Sequence, residues 1–242
     1  MSAFTFTAAA ALDLPPATEQ VTPFEVHVPQ GAIDDLKLRL RLIRWPDREL
    51  VDDWTQEVPL HAAQELVDYW LHEYDWRTFE TRLNGYSQFR TKIDGVGVYF
   101  IHARSKHENA MPILLTHGWP GSVIEFLNVI DRLTDPERFG GKAEDAFHLV
   151  IPAIPGYGFS DKPRETGWNP ARLAAAWTVL MKRLGYERWV AQGGDWGSAI
   201  TTTLAAQAPE GLLAAHVNLP MVVPGHRHGG QADAELHQGR GR

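Results

Sequence analysis

One aspartate stands where a strand pattern gives way to a helix pattern, in the run Gln192-Gly193-Gly194-Asp195-Trp196-Gly197-Ser198. Small residues two before and two after a central polar residue are what a nucleophile elbow requires. There a tight turn holds the central side chain in a strained conformation with neighbouring backbone close by. A carboxylate is a poor reagent for amides, but it displaces at an sp³ carbon and forms an ester, the covalent chemistry open to Asp and Glu. A position at a helix N-terminus favours its ionised, attacking form. The competing reading is an Asp that does no more than cap the helix after it.

Two further segments follow strand patterns. His117-Gly118-Trp119-Pro120-Gly121 comes directly after a buried-type strand. In a strand–elbow–helix sheet, the loop after the third strand supplies one oxyanion-binding N–H and the residue after the nucleophile supplies the other. Those donors are expected to be the backbone amides of Trp119 and Trp196. They would hold the oxyanion formed when water attacks an ester on Asp195. A cis bond at Trp119-Pro120 would aim the loop. His117 is read as structural, bonding backbone, with no proton transfer assigned to it. Gly156-Tyr157-Gly158-Phe159-Ser160-Asp161-Lys162-Pro163 suits a loop at the carboxyl edge of a sheet, where open α/β sheets bind ligands. Ser160 is no nucleophile, because Lys162 stands where an elbow needs a small residue, so this loop is read as structural.

The elements that must position these residues are legible from periodicity. Ile33, Leu36, Leu40 and Ile43 fall at helical spacing, with Trp45-Pro46 as the expected stop. A second helix is expected from Leu60 to Tyr74, with Leu66, Tyr69 and Trp70 on one face. The tryptophans at 45, 54, 70 and 76 are read as packing. At Phe89 the period changes: a hairpin turning at Asp94-Gly95 joins Arg90–Ile93 to a strand from Val96 to His102. Strand and helix then alternate. Strands are expected at Ile113–Thr116, Phe147–Ala153, Arg188–Gln192 and Ala215–Leu219. Helices are expected from Ser122, whose Glu125 three residues on forms a capping box; from Asn169 with Pro170 at its first position; and from Trp196 to about Ala208. This alternation argues an α/β fold with a mostly parallel sheet and helices on both faces, preceded by a helical appendage. The expected division is a disordered leader over 1–21, a helical domain over 22–90, the first part of an α/β core over 91–220, and a disordered tail over 221–242.

Composition removes several function classes. The chain has 242 residues, a formal net charge of −7 and no Lys/Arg run long enough to form a phosphate-binding footprint, so nucleic acid is not an expected partner. It has no cysteine, which excludes disulfides, thiolate metal sites and thiol nucleophiles. No stretch approaches the ~20 apolar residues of a membrane span. A cytoplasmic protein without a membrane partner is expected.

Taken together, HGWPGS at 117–122, GYGFSDKP at 156–163 and GGDWGS at 193–198 resemble the epoxide hydrolases of the microsomal type, of the α/β-hydrolase fold. LRLIRWPD at 40–47, LVDYWLHEYDWR at 66–77 and FRTKIDG at 89–95 are similar to the N-terminal helical domain of that family. The resemblance covers about residues 22–220. It implies a small-molecule epoxide as substrate, opened to a vicinal diol through an alkyl-enzyme ester on Asp195, with no metal or organic cofactor. It also implies parts not seen here: a cap with two tyrosines that protonate the epoxide oxygen, a late acidic residue, and a catalytic His.

Only 47 residues follow Asp195, too few for the remaining strands and the cap. His226, His228 and His237 with Asp233 and Glu235 lie in a Gly/Arg/His-rich tail that reads as disordered rather than as a triad or metal site. The expectation is therefore weak or absent turnover, an open sheet edge near Leu219, and poor solubility or dependence on a homo-oligomer or complementing chain. The alternatives are a haloalkane dehalogenase-like hydrolase, with Trp196 as halide donor, and a non-catalytic fragment.

Overall fold

The structure is a computed structural model in which residues 14–220 are described. The expected tail, with its histidines, and the first 13 residues of the expected leader lie outside that range. The chain forms two compact units, one comprising residues 25–85 and the other residues 86–220 with the strand segment 16–24.

The first unit holds three helices: α1 (Gln30–Arg41), α2 (Leu60–His72) and α3 (Trp76–Asn84). α1 stops at Arg41, well before Trp45-Pro46. Leu42 and Ile43 are both exposed, so no buried face remains to support another turn. The helix α3 was not expected. Its signal was in the chain: the Asp75 carboxylate caps it by accepting from the Arg77 amide at 2.9 Å, and Trp76, Phe79 and Leu83 fall at helical spacing before Gly85. Glu80 on α3 accepts from the Val28 amide at 2.7 Å and from Arg77 at 2.9 Å, while the Asn84 carboxamide bonds both the N–H and the C=O of Val26. The packing reading of the tryptophans holds for Trp76, which lies against Phe79. It fails for Trp45, Trp54 and Trp70, which are exposed.

The second unit is a seven-stranded sheet in the order β1-β2-β3-β5-β4-β6-β7. Its strands are β1 (Thr22–Phe24), β2 (Gln88–Ile93), β3 (Val96–Ala103), β4 (Met111–Thr116), β5 (Phe147–Pro152), β6 (Trp189–Gly193) and β7 (Leu212–Val217). β1, β2, β3 and β5 pair antiparallel in succession, whereas β5, β4, β6 and β7 pair parallel. The α/β class is as expected, and the parallel half carries the elements of interest. The β2–β3 hairpin turns at Asp94-Gly95, both at positive φ, the geometry of a tight two-residue turn. Within the stretch read as leader, the chain already lies along β2: the Thr18 carbonyl accepts from the Lys92 amide and the Glu19 carbonyl from the Thr91 hydroxyl.

Two helices follow their strands, α5 (Pro170–Arg183) and α6 (Trp196–Gln207). The Asn169 side chain caps α5, accepting from the Arg172 amide at 3.0 Å. Leu173, Ala176, Trp177, Leu180 and Met181 of α5, with Ile200 and Leu204 of α6, form one cluster with Phe100, Leu114, Val150 and Ala191 of the sheet. Leu149 and Ile151 flank Val150, so alternation turns them to the opposite face. There the single expected helix from Ser122 is a 3-10 turn, Val123–Phe126, followed by a short α4 (Ile130–Thr134). β7 has a partner on one side only among the described residues, and its central residues are exposed.

Candidate functional site

At the carboxyl end of the parallel strands β4 and β6, two loops meet. The β6 backbone runs into α6 through Asp195, which adopts φ 50° and ψ −121°, a conformation that L residues rarely take and that costs of order 1–3 kcal/mol. The neighbouring glycines make the turn sterically possible. A Cβ on Gly193 would strike the Gly197 carbonyl, and one on Gly197 would strike the carbonyls of Thr116 and His117 at the end of β4. α6 therefore starts in direct contact with the end of β4. Ser198 ties the turn shut, its hydroxyl donating to the Gly193 carbonyl at 2.8 Å.

The Asp195 side chain forms no helix-cap hydrogen bond, so the capping explanation of this residue does not hold. Its Oδ1 instead accepts from the Trp119 amide at 2.8 Å, across 76 residues of sequence. Two backbone donors, Trp119 first and Trp196 second, hold this carboxyl below the ordinary carboxylate range. Gly118 has no room for a side chain, because Asp195 occupies the place of its Cβ. The three residues singled out in the sequence, Asp195, Trp119 and Trp196, are thus gathered at one point. Both indoles are open to solvent, Trp119 63% and Trp196 53% exposed. The Trp119-Pro120 bond is cis.

His117 is fully buried, with both ring nitrogens engaged. Nδ1–H donates to the Gly118 carbonyl at 2.8 Å and Nε2 accepts from the Ile154 amide at 3.0 Å. Burial pushes its pKa down, which keeps the ring neutral. This is the structural histidine the sequence suggests. The 156–163 loop is likewise spent on the scaffold. The Ser160 hydroxyl accepts from the Tyr99 amide at 2.9 Å and donates to the Ala153 carbonyl at 2.8 Å. The Asp161 carboxylate pairs with buried Arg90 at 2.5 Å and accepts from the Gly97 amide at 3.0 Å. One residue beside the elbow went unnoticed in the sequence. Asn218, just past β7, sets its carboxamide oxygen 2.9 Å from the place of a Gly194 Cβ, a neighbour that only the sheet order brings there.

Among the described residues no group of three or more His, Asp or Glu could hold a metal ion, and no helix is long and apolar enough to cross a membrane.

Residues 21–126 match the family model described as epoxide hydrolase N terminus, and residues 111–232 match that of the alpha/beta hydrolase fold. A protein of Stigmatella aurantiaca whose name provisionally assigns it to the epoxide hydrolases is 61% identical over 204 residues, which is 84% of this chain and 46% of that protein. Epoxide hydrolase 1 of Oryctolagus cuniculus is 34% identical, over 86% of this chain and 47% of the relative. The solved structure of an Aspergillus niger epoxide hydrolase superposes with a TM-score of 0.73 at 34% identity, covering 86% of this chain and 54% of that one. Juvenile hormone epoxide hydrolase from Bombyx mori superposes with a TM-score of 0.74 at 31% identity, covering 84% and 54%. The chain spans about half the length of the curated relatives it matches.

Proposed function

Because this chain belongs to the alpha/beta hydrolase fold family, we propose that it carries the nucleophile half of an epoxide-opening site, with Asp195 as the attacking group. The observation that supports this is the Asp195 carboxylate itself, lifted out of its helix by a positive-φ corner and aimed by the Trp119 amide. An Asp Oδ attacks one epoxide carbon, the ring C–O bond breaks, and the resulting alkoxide takes a proton, leaving a hydroxyalkyl ester on Asp195. The other carboxylate oxygen, the one that did not attack, becomes the ester carbonyl oxygen and stays at the Trp119 and Trp196 amides. When water adds to that carbonyl, those donors stabilise the oxyanion, a contribution of about 3 kcal/mol per donor. Collapse releases the vicinal diol and restores the carboxylate.

The proton for the alkoxide and the base for the water need further groups, which the resemblance assigns to cap tyrosines and a late His. His117 cannot take that part, since both its nitrogens are committed to backbone. Without such groups at the site, the epoxide is expected to open slowly and the ester on Asp195 to persist.

The test is intact and peptide-mapped mass spectrometry after incubation with styrene oxide. A persistent adduct of one styrene oxide confined to Asp195, and absent from Asp195→Asn, supports the reading. An unmodified Asp195 sinks it and leaves a non-catalytic fragment; sustained release of diol by the chain alone would refute the stalled ester. A bromoalkane in the parallel arm addresses the exposed Trp196 indole beside the nucleophile: alkylation of Asp195 with bromide release, and none by the epoxide, would favour a dehalogenase-like site.

A further inference from the structure

The Ser122-x-x-Glu125 pair has the letters of a capping box and forms half of one: the Glu125 carboxylate takes the Ser122 amide, but the Ser122 hydroxyl does not take the Glu125 amide. The Ser122 hydroxyl accepts from the Ile124 amide at 3.3 Å, and the Glu125 amide donates to the Ser122 backbone carbonyl at 3.2 Å. The Glu125 side chain turns back into the loop before it. One carboxylate oxygen lies where a Cβ on Gly121 would stand, inside the turn closed by the Gly121 amide on the Gly118 carbonyl at 3.0 Å. There it accepts from the Gly118 and Ser122 amides.

Gly118 and Trp119 are consecutive, so their two N–H groups are oriented by one short stretch of backbone. The first is taken by Glu125 and the second, at 2.8 Å, by Asp195. We propose that Glu125 is a positioning residue, whose carboxylate, seated in the Gly118–Ser122 turn, holds the Trp119 amide aimed at the Asp195 carboxylate. Its importance for catalysis rests on the epoxide-opening reading; its effect on Asp195 does not.

The geometry has a cost that a purely local role would not need. Burial raises the Glu125 carboxyl above its usual range, and the Asp195 charge raises it further. The sterics have a purpose as well: glycine at 121 leaves the space that the carboxylate fills, and glycine at 118 leaves the space for Asp195.

Two conservative variants separate position from charge. Glu125→Asp keeps the charge and withdraws it from the turn by one methylene; Glu125→Gln keeps an acceptor oxygen in the turn and removes the charge. The readouts are the titration midpoint of the Asp195 carboxyl carbon by NMR in Asp-labelled protein, and the rate of Asp195 alkylation by saturating styrene oxide. Positioning predicts that Glu125→Asp raises the Asp195 midpoint and slows alkylation about tenfold, a fraction of what losing a whole oxyanion donor costs. Glu125→Gln should leave the midpoint unchanged or lower and the rate within about threefold of wild type.

The reverse ranking, with the Asp variant like wild type and the Gln variant altered, overturns the proposal in favour of a charge effect. Unchanged midpoints in both variants overturn it outright. If wild-type protein forms no adduct while the midpoint moves as stated, positioning stands and the epoxide reading falls. If the adduct forms and the midpoints do not move, the reverse holds.

Discussion

Two glycine-rich loops follow strands at the same edge of the sheet, and they do opposite things. In the 156–163 loop the hydroxyl and the carboxylate are bonded inward: Ser160 to Tyr99 and Ala153, Asp161 to Arg90 and Gly97. In the 193–198 corner the glycines bring backbone against backbone, and the one acidic side chain, free of any cap bond, meets a distant amide. Glycines after a strand therefore do not mark a site by themselves. What separates the two loops is whether the polar side chain is consumed by the fold or presented by it, at the expense of backbone strain.

Four perturbations probe that contrast. The largest effect is expected from Gly197→Ala, whose Cβ meets the Thr116 and His117 carbonyls: a loss of about 3 kcal/mol or more by chemical denaturation, together with the Asp195–Trp119 alignment. Next, Asp161→Ala takes the carboxylate from buried Arg90 and should cost about 2–3 kcal/mol while leaving alkylation of Asp195 within about twofold. If alkylation falls with stability, the two loops are not separable and the contrast fails.

A third effect concerns pH. Burial holds His102 neutral, with its pKa lowered to about 4 against an unfolded 6.5, and it also lowers His117 and His148. Between those values the unfolded chain binds protons the folded one refuses, so stability should fall as pH drops from 6.5 toward 4. Ionisation of Asp195 would persist through that window because its own pKa is lowered. Thermal melts at pH 7 and pH 4.5, beside alkylation rates over the range where the protein stays folded, read both. Finally, Asp195→Gly should stabilise by about 1 kcal/mol, because glycine takes φ 50° without penalty. A destabilised Asp195→Gly would mean the corner is not strained.

Much of this was legible beforehand because local signals agreed. Alternation and the Asp94-Gly95 turn marked the β2–β3 hairpin, Asn169-Pro170 marked the start of α5, and the small residues around Asp195 marked the elbow. The misses have local causes too. α1 ended early because an apolar pattern extends a helix only where something covers it, and Leu42 is uncovered. α3 was missed because its cap, Asp75, sits three residues past the end of α2 and reads as a continuation. Ser122 and Glu125 read as a box, but only the Glu125 half forms, and the space above Gly121 lets the same carboxylate reach the Gly118 amide as well.

By itself the sequence determined which backbone positions could bend and where a carboxylate would stand at a strand-to-helix corner, since steric freedom at Gly193 and Gly197 is a property of residue type. Only the tertiary structure decided that β4 lies between β5 and β6. That order sets Trp119 against Asp195, though 76 residues separate them, and the pairing of β7 with β6 sets Asn218 beside Gly194. The reason is physical: a residue's conformational range is local, whereas the partner of a hydrogen bond depends on which strands the buried core has brought side by side.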